Sequence, residues 1–265
     1  MVFYDFLAQD VAGKPNLLFE EDMYVGNEFD AYDDGELTIK GLLQLVQENA
    51  FHHLEAGDAP VPKLVDEGML LFVTRLVFII KRPTMRGCTV RIKGWLCFSK
   101  RLGVLRYHTV EDENGNLLAQ TASRWVCVDR AERKMLPAEC FCERWKYQFP
   151  QMSTLPAPKS FKSSFELENT GTLTVDERFL DMNGHVNNCE YGGFVLHAIN
   201  EAAIDKRPKV LQITYNSEAR LGDVLNMKTG ADENEFFTEA RYERGICFRA
   251  KVFFTEVDDA KILLI

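Results

Sequence analysis

Hydrophobic residues recur at three- and four-residue steps from Thr38 onward. Ile39, Leu42, Leu43, Val46, Ala50 and Leu54 share one side, while Gln44, Gln47, Glu48 and His52 fall mainly on the other. That period predicts an amphipathic helix. Apolar, β-rich runs follow at 70–81, 88–99, 103–111 and 117–129. Between the last two stands Asn114-Gly115, which predicts a hairpin closed by a type I′ turn, whose two central residues need positive φ. The first half therefore reads as a helix followed by about four antiparallel strands.

From about Arg130 to Ser164 the periodicity stops. Pro137, Pro150, Pro156 and Pro158 mark this stretch as a connection, although Phe141, Trp145 and Phe149 imply that it packs on something. Then the first pattern returns. Val186, Cys189, Gly193, Leu196, Ile199 and Ala203 make a second helical stripe with small residues at its centre, and strand-like runs follow at 209–217, 223–230, 234–242 and 246–257. The two halves align without a gap from Leu76 and from Leu211, which places Gly87 on Gly222. One unit thus occurs twice, over 1–138 and 162–265, joined by 139–161. The expected class is α+β, each copy a long helix wrapped by a curved antiparallel sheet that buries one face on it. Pairing the two sheets edge to edge would remove two exposed edge strands.

Composition narrows the function. Hydrophobic residues make up 46 % and charged residues 27 %, an ordinary globular balance. Lys and Arg number 31 against 40 Asp and Glu, a net charge of −9 that disfavours nucleic acid as a partner. No run of apolar residues is long enough to span a membrane, and the opening MVFYDFLAQD has neither the charge nor the apolar run of a signal peptide, so a cytoplasmic location is expected. Seven Cys, an odd number, argue for reduced thiols. Cys140 and Cys142 lack a second Cys or His pair nearby, so neither a metal nor another cofactor is expected. The charge is uneven as well. Arg75 to Arg106 holds nine Lys or Arg and no Asp or Glu, which leaves −18 on the rest.

Candidate chemistry gathers before the second helix, where Asp181, Asn183, His185, Asn187 and Asn188 crowd around Gly184. A helix start needs one capping residue, so capping accounts for one or two of them. The remainder point to a site at a helix N-terminus, where free N–H groups stabilise developing negative charge. His52, His53, His108 and His197 read as solvent-facing or structural. No serine-hydrolase, zincin, Walker A or dinucleotide-binding motif occurs.

Asp181, Asn183, His185, Val186, Asn187, Asn188 and Tyr191 match the D-x-N-x-H-V-N-N-x-x-Y signature, and on them the chain resembles the fatty acyl-acyl-carrier-protein thioesterases. The likeness runs from about Tyr4 to Val257 and takes in the helix at Leu42–His53, Arg82-Pro83 and Arg124-Trp125. It implies a double hotdog fold, hydrolysis of acyl thioesters on acyl carrier protein, and a catalytic set of Asp181, Asn183, His185 and Glu218. Glu218 would be the base, directly or through His185. Asn183 would orient the water or the thioester, and Asp181 would position these groups or exchange roles with Glu218. Backbone N–H groups near Gly184 and His185 would meet the oxyanion. Where plant members carry a Cys after the Glu, this chain has Ala219, which favours a carboxylate mechanism; a bacterial-type member is implied. The resemblance also implies an acyl pocket between the first helix and its sheet, near Leu42, Val46, Phe72, Thr74, Phe78 and Trp95. Part of the basic stretch, Arg82 and Arg86, would receive the acidic carrier. Acyl-coenzyme A as substrate, a non-catalytic acyl-binding module and a dehydratase are the competing readings, and homodimerisation is left open.

Overall fold

The computed structural model describes residues 18–57, 60–99, 103–141, 155–181 and 184–256. The first copy comprises β1 (Phe19–Tyr24), α1 (Ile39–Ala56), α2 (Val61–Asp66), β2 (Met69–Ile80), β3 (Thr89–Ser99), β4 (Gly103–Glu111), β5 (Leu117–Asp129) and the short β6 (Met135–Leu136). The second comprises β7 (Glu168–Thr174), a 3₁₀ turn at Glu177–Phe179, α3 (Glu190–Glu201), β8 (Val210–Tyr215), β9 (Val224–Ala231), β10 (Glu235–Tyr242) and β11 (Gly245–Phe253). Thr38 caps α1, its hydroxyl accepting the Gly41 N–H at 3.2 Å, which satisfies a donor the helix start leaves unpaired.

Among the described residues the strands form one antiparallel sheet in the order β1-β3-β4-β5-β2-β8-β11-β10-β9-β7, with β6 on β5. The halves join where β2 pairs β8, Arg75 facing Thr214 and Ile79 facing Val210. Edge-to-edge pairing of the two copies is therefore the joint of the molecule. One core cluster takes in residues of α1, α3 and the strands of both copies, including Leu42, Val46, Phe78, Phe194, Ile213 and Phe248. Strand alternation sends Val77, Ile79, Trp95 and Tyr107 to the opposite face of the sheet, where Leu155 and Ala157 of the connecting segment cover them. The connection thus packs on the back of the sheet; Trp145 and Phe149 lie outside the described residues.

The helices cross at the glycines of α3. A Cβ on Gly192 would stand 2.9 Å from Leu43 Cδ1 and 3.2 Å from the Lys40 Cα, so any larger residue here would crowd the crossing. Lys40 and Glu190 close the crossing with a 2.8 Å ion pair.

Three expectations change. The β4–β5 connection is a five-residue loop with Gly115 at φ +79°, not a two-residue type I′ turn, because the Asp112 carboxylate accepts the N–H groups of Asn114 and Asn116 and holds a wider loop. The helix expected from Val186 begins at Glu190, because Val186 is held in a bridge to Leu180 and donates its N–H to Ala219 O. Edge strands β1 and β7 were not anticipated; acidic Glu20, Glu21 and Asp22 on β1 give it no apolar alternation, while they protect an exposed edge.

Candidate active site

The segment before α3 is a compact knot of local hydrogen bonds. Asp181 N–H donates to His185 O at 2.7 Å, Gly184 N–H to Asp181 O at 3.0 Å, and His185 N–H to Asp181 Oδ1 at 3.1 Å. Gly184 sits at φ +75°, a left-handed conformation that glycine adopts without strain. Asn187 provides the cap: its Oδ1 accepts the Cys189 N–H at 3.0 Å and its carbonyl accepts the Glu190 N–H at 2.9 Å. This accounts for Asp181 and Asn187 as builders of the turn. His185 is left to project from it, bridged to Arg220 on the loop after β8. Asn183 lies outside the described residues.

His185 Nδ1 stands 3.4 Å from Glu218 Oε1, and both side chains are half-buried, 21 % and 32 % exposed. The Arg220 guanidinium is 3.9 Å from Glu218 Oε2. Glu218 is fixed from behind: Tyr242 donates to its carbonyl at 3.2 Å and to the Ser217 hydroxyl at 2.5 Å. Tyr191, the second residue of α3, accepts the Ala219 N–H at 3.4 Å, tying the helix to the Glu218 loop. Cys189 and Cys247 are buried, and desolvation pushes both thiols up, Cys247 to about 11, so neither supplies thiolate at neutral pH. The expected oxyanion donors are otherwise engaged, because the Gly184 and His185 N–H groups close the turn on Asp181.

The first copy repeats this knot with other chemistry. Tyr32 N–H donates to Glu36 O, Gly35 N–H to Tyr32 O, and Leu37 N–H to Thr84 O, matching the bonds of Asp181, Gly184 and Val186, and Gly35 shares the positive φ at +87°. Glu36 therefore occupies the place of His185, Tyr32 that of Asp181, and Pro83 that of Glu218. This counterpart is filled. Arg207, just before β8, reaches Asp34 at 2.9 Å, pairs with Glu36 and lies 4.3 Å over the Tyr32 ring. The duplication was legible in the sequence, but the sealed counterpart was not, since Arg207 comes from the other copy.

A cavity of about 1480 Å³ opens on Asp181, His185, Asn187 and Glu218 and runs under α1 into the first copy. Val46, Phe72 and Thr74 line it. Thr74 is the extra residue of a β-bulge in β2, between Val73 and Arg75, with its hydroxyl on Arg124 O at 3.2 Å. Leu42, Phe78 and Trp95 do not line it, which corrects the expectation for these three. Leu42 and Phe78 are sealed in the core between the helices and the sheet, and Trp95 points to the far face, stacked 5.6 Å from Tyr107. His53 is likewise not solvent-facing: it is fully buried and stacks on Phe19. The basic stretch does not form one patch. Arg91 pairs with Asp22 and Lys93 with Glu111 at 2.8 Å each, Arg106 is buried, and Arg86 donates to the carbonyls of Phe29 and Asn27. Arg82 is exposed; Lys100 and Arg101 lie outside the described residues.

A helix wrapped by a curved antiparallel sheet, written twice and joined through that sheet, with a polar cluster of the second copy opening on a cavity, defines a tandem hotdog protein. Residues 18–139 match the family model of the acyl-ACP thioesterase N-terminal domain and residues 164–251 that of the C-terminal domain. The chain belongs to the acyl-ACP thioesterase family. Chloroplastic palmitoyl-acyl carrier protein thioesterases of Arabidopsis thaliana and Gossypium hirsutum are 25 % and 26 % identical over 74 % and 76 % of the chain. The chain spans about half the length of these relatives, 51 % and 52 %. The fold is shared with an acyl-ACP thioesterase from Bacteroides thetaiotaomicron (TM-score 0.73, 22 % identity, 90 % of this chain and 98 % of that one). It is also shared with the 12:0-ACP thioesterase of Umbellularia californica (TM-score 0.74, 18 % identity, 90 % and 97 %).

Proposed function

We propose that the protein hydrolyses fatty acyl thioesters of acyl carrier protein, releasing free fatty acid. The observation that carries this reading is the His185–Glu218 pair at the mouth of a cavity that continues under α1. Glu218, directly or through His185, takes a proton from water as the water oxygen bonds to the thioester carbonyl carbon. The carbon–sulfur bond then breaks and the proton returns to the leaving thiolate. Asp181 acts through the turn, holding His185 by its N–H, and Asn183 orients the water or holds the thioester through its amide. The N-terminus of α3, with Asn188 on the cavity wall, faces the developing oxyanion with the positive end of its dipole. Val46, Phe72 and Thr74 form the near wall of the acyl site.

An acidic carrier suits the cavity's rim, where Arg130, Arg133 and Arg220 stand exposed, with Arg82 as an outlying contact. Arg86 serves the loop it bonds instead. Among the described residues no helix is long and apolar enough to cross a membrane.

The test is thiol release from equal acyl chains on acyl carrier protein and on coenzyme A. Carrier-bound substrate is expected to turn over faster, and Glu218→Gln is expected to lower kcat by about 10²–10⁴-fold with the fold retained by circular dichroism. Cys189→Ala is expected to keep kcat. Full activity in Glu218→Gln, or faster turnover on coenzyme A, would overturn the assignment.

A further inference from the structure

Away from His185 and Glu218, the cavity reaches a second polar group that the reaction does not use. Arg106 and His108 on β4 lie on its wall, each 4 % exposed, on the face of the sheet that α1 covers. His53 and Asn49 of α1, both 0 % exposed, pack beside them. Arg106 Nη1 is 3.4 Å from His53 Nδ1, and no carboxylate among the described residues pairs with the guanidinium. Neither ring nitrogen of His108 has a partner, nor does Asn49 Oδ1. The carboxylates nearest along these elements are engaged elsewhere: Glu21 holds Asn49 Nδ2 and His52 at 2.8 Å each, and Glu111 holds Lys93.

A buried cation without an anion is costly, and buried polar atoms are ordinarily satisfied. Beside the cluster the wall carries Thr121 and Ser123 of β5, and then the apolar Leu54, Leu96 and Val104, which contact one another. A site for a plain hydrocarbon chain requires no such group. Desolvation lowers Arg106 to about 9 and His108 well below its usual value, so at neutral pH the arginine remains charged while His108 is a neutral donor and acceptor.

Arg106 shares a cross-strand row with Ser123 of β5, Leu76 of β2 and Ile213 of β8. Three strand spacings put it about 14 Å from β8, whose far end leads to Glu218. Glu218 lies five residues beyond Ile213, and an extended chain covers about 1.2 Å per bond, so a long acyl chain, of about twelve carbons or more, is needed to reach the cluster from the thioester.

Resting on the thioesterase reading, we infer that the acyl chamber accepts chains bearing an acceptor oxygen at their distal end, a terminal carboxylate above all, held by Arg106 with His108 and His53 beside it.

The experiment compares carrier-bound acyl chains of equal length ending in a carboxylate, a hydroxyl or a methyl group. Wild type is expected to prefer the carboxylate over the methyl terminus by about tenfold or more in kcat/KM, with the hydroxyl between them. Arg106→Met is expected to abolish the preference, and Arg106→Lys or His108→Gln to reduce it. Equal or better turnover of the methyl-ended chain by wild type overturns the inference and leaves the thioesterase reading intact. Calorimetric binding of a free α,ω-dicarboxylic acid against the matching monocarboxylic acid decides the inference even where no substrate is turned over. Equal affinities in that case would refute it, and tighter dicarboxylate binding lost in Arg106→Met would support it.

Discussion

The crossing of α1 and α3 offers a sharp test, because the two adjacent glycines of α3 face different neighbours. Replacing a helical glycine with alanine ordinarily stabilises by about 1 kcal/mol through propensity alone. At Gly193 the new Cβ would meet Lys40 Cδ at 3.3 Å and Glu190 Oε2 at 3.9 Å, both in flexible side chains that can shift by a few tenths of an ångström. Gly193→Ala is therefore expected to gain most of that increment. At Gly192 the Cβ would meet Leu43 Cδ1 at 2.9 Å and the backbone Cα and N of Lys40 at 3.2 and 3.3 Å. Leu43 can change rotamer, but the Lys40 backbone moves only if α1 moves. Overpacking of this kind costs about 1–3 kcal/mol, which cancels or exceeds the propensity gain. Gly192→Ala is thus expected to be neutral to about 2 kcal/mol less stable, and the two variants to differ by roughly 1–3 kcal/mol. Urea denaturation followed by circular dichroism, with unchanged m-values, measures both. Equal stabilisation by the two substitutions would refute the close contact and the assignment of the glycines to the crossing.

Two further outcomes follow from the charged groups. Burial opposes protonation of His52, but its bond to Glu21 and the fields of Glu48 and Glu55 outweigh it and hold the imidazole above its ordinary 6.5. Stability from this contact is complete below that ordinary value and is lost as pH rises through the raised one, so His52→Gln should flatten the decline in urea midpoints between about pH 5 and about pH 9; an unchanged profile would remove His52 as its source. In the sealed counterpart of the first copy, Arg207→Met and Glu36→Gln should lower the denaturation midpoint while leaving kcat for thioester hydrolysis unchanged, and a loss of kcat comparable to that of Glu218→Gln would show that the first copy takes part in the chemistry.

The interior strands were legible because each is rich in apolar and β-branched residues and is flanked by polar turns: the runs at 103–111 and 117–129 coincide with β4 and β5. Helix α1 was legible from its apolar stripe. Helix α3 was harder to place, since the stripe counted Val186 as helical when the Ala219 carbonyl and the Leu180 bridge hold it in an extended turn. The edge strands β1 and β7 carry no signal because each pairs on one side only and leaves much of its surface in water.

The amino-acid sequence by itself determined that one unit is repeated, where its interior strands run and which short segment concentrates Asp181, Asn183 and His185. Those features are local or periodic, and periodicity is written along the chain. Tertiary structure alone decided what the residues meet. It sent Trp95 to the back of the sheet, sealed Leu42 and Phe78 in the core, dispersed the basic stretch into pairs and backbone contacts, and drew Arg207 across to fill the first copy's counterpart site. It also left Arg106 on the cavity wall without an anion. Such contacts join residues far apart in sequence, and they follow from strand order and from which face of the sheet the helices cover, neither of which the hydrophobic pattern encodes.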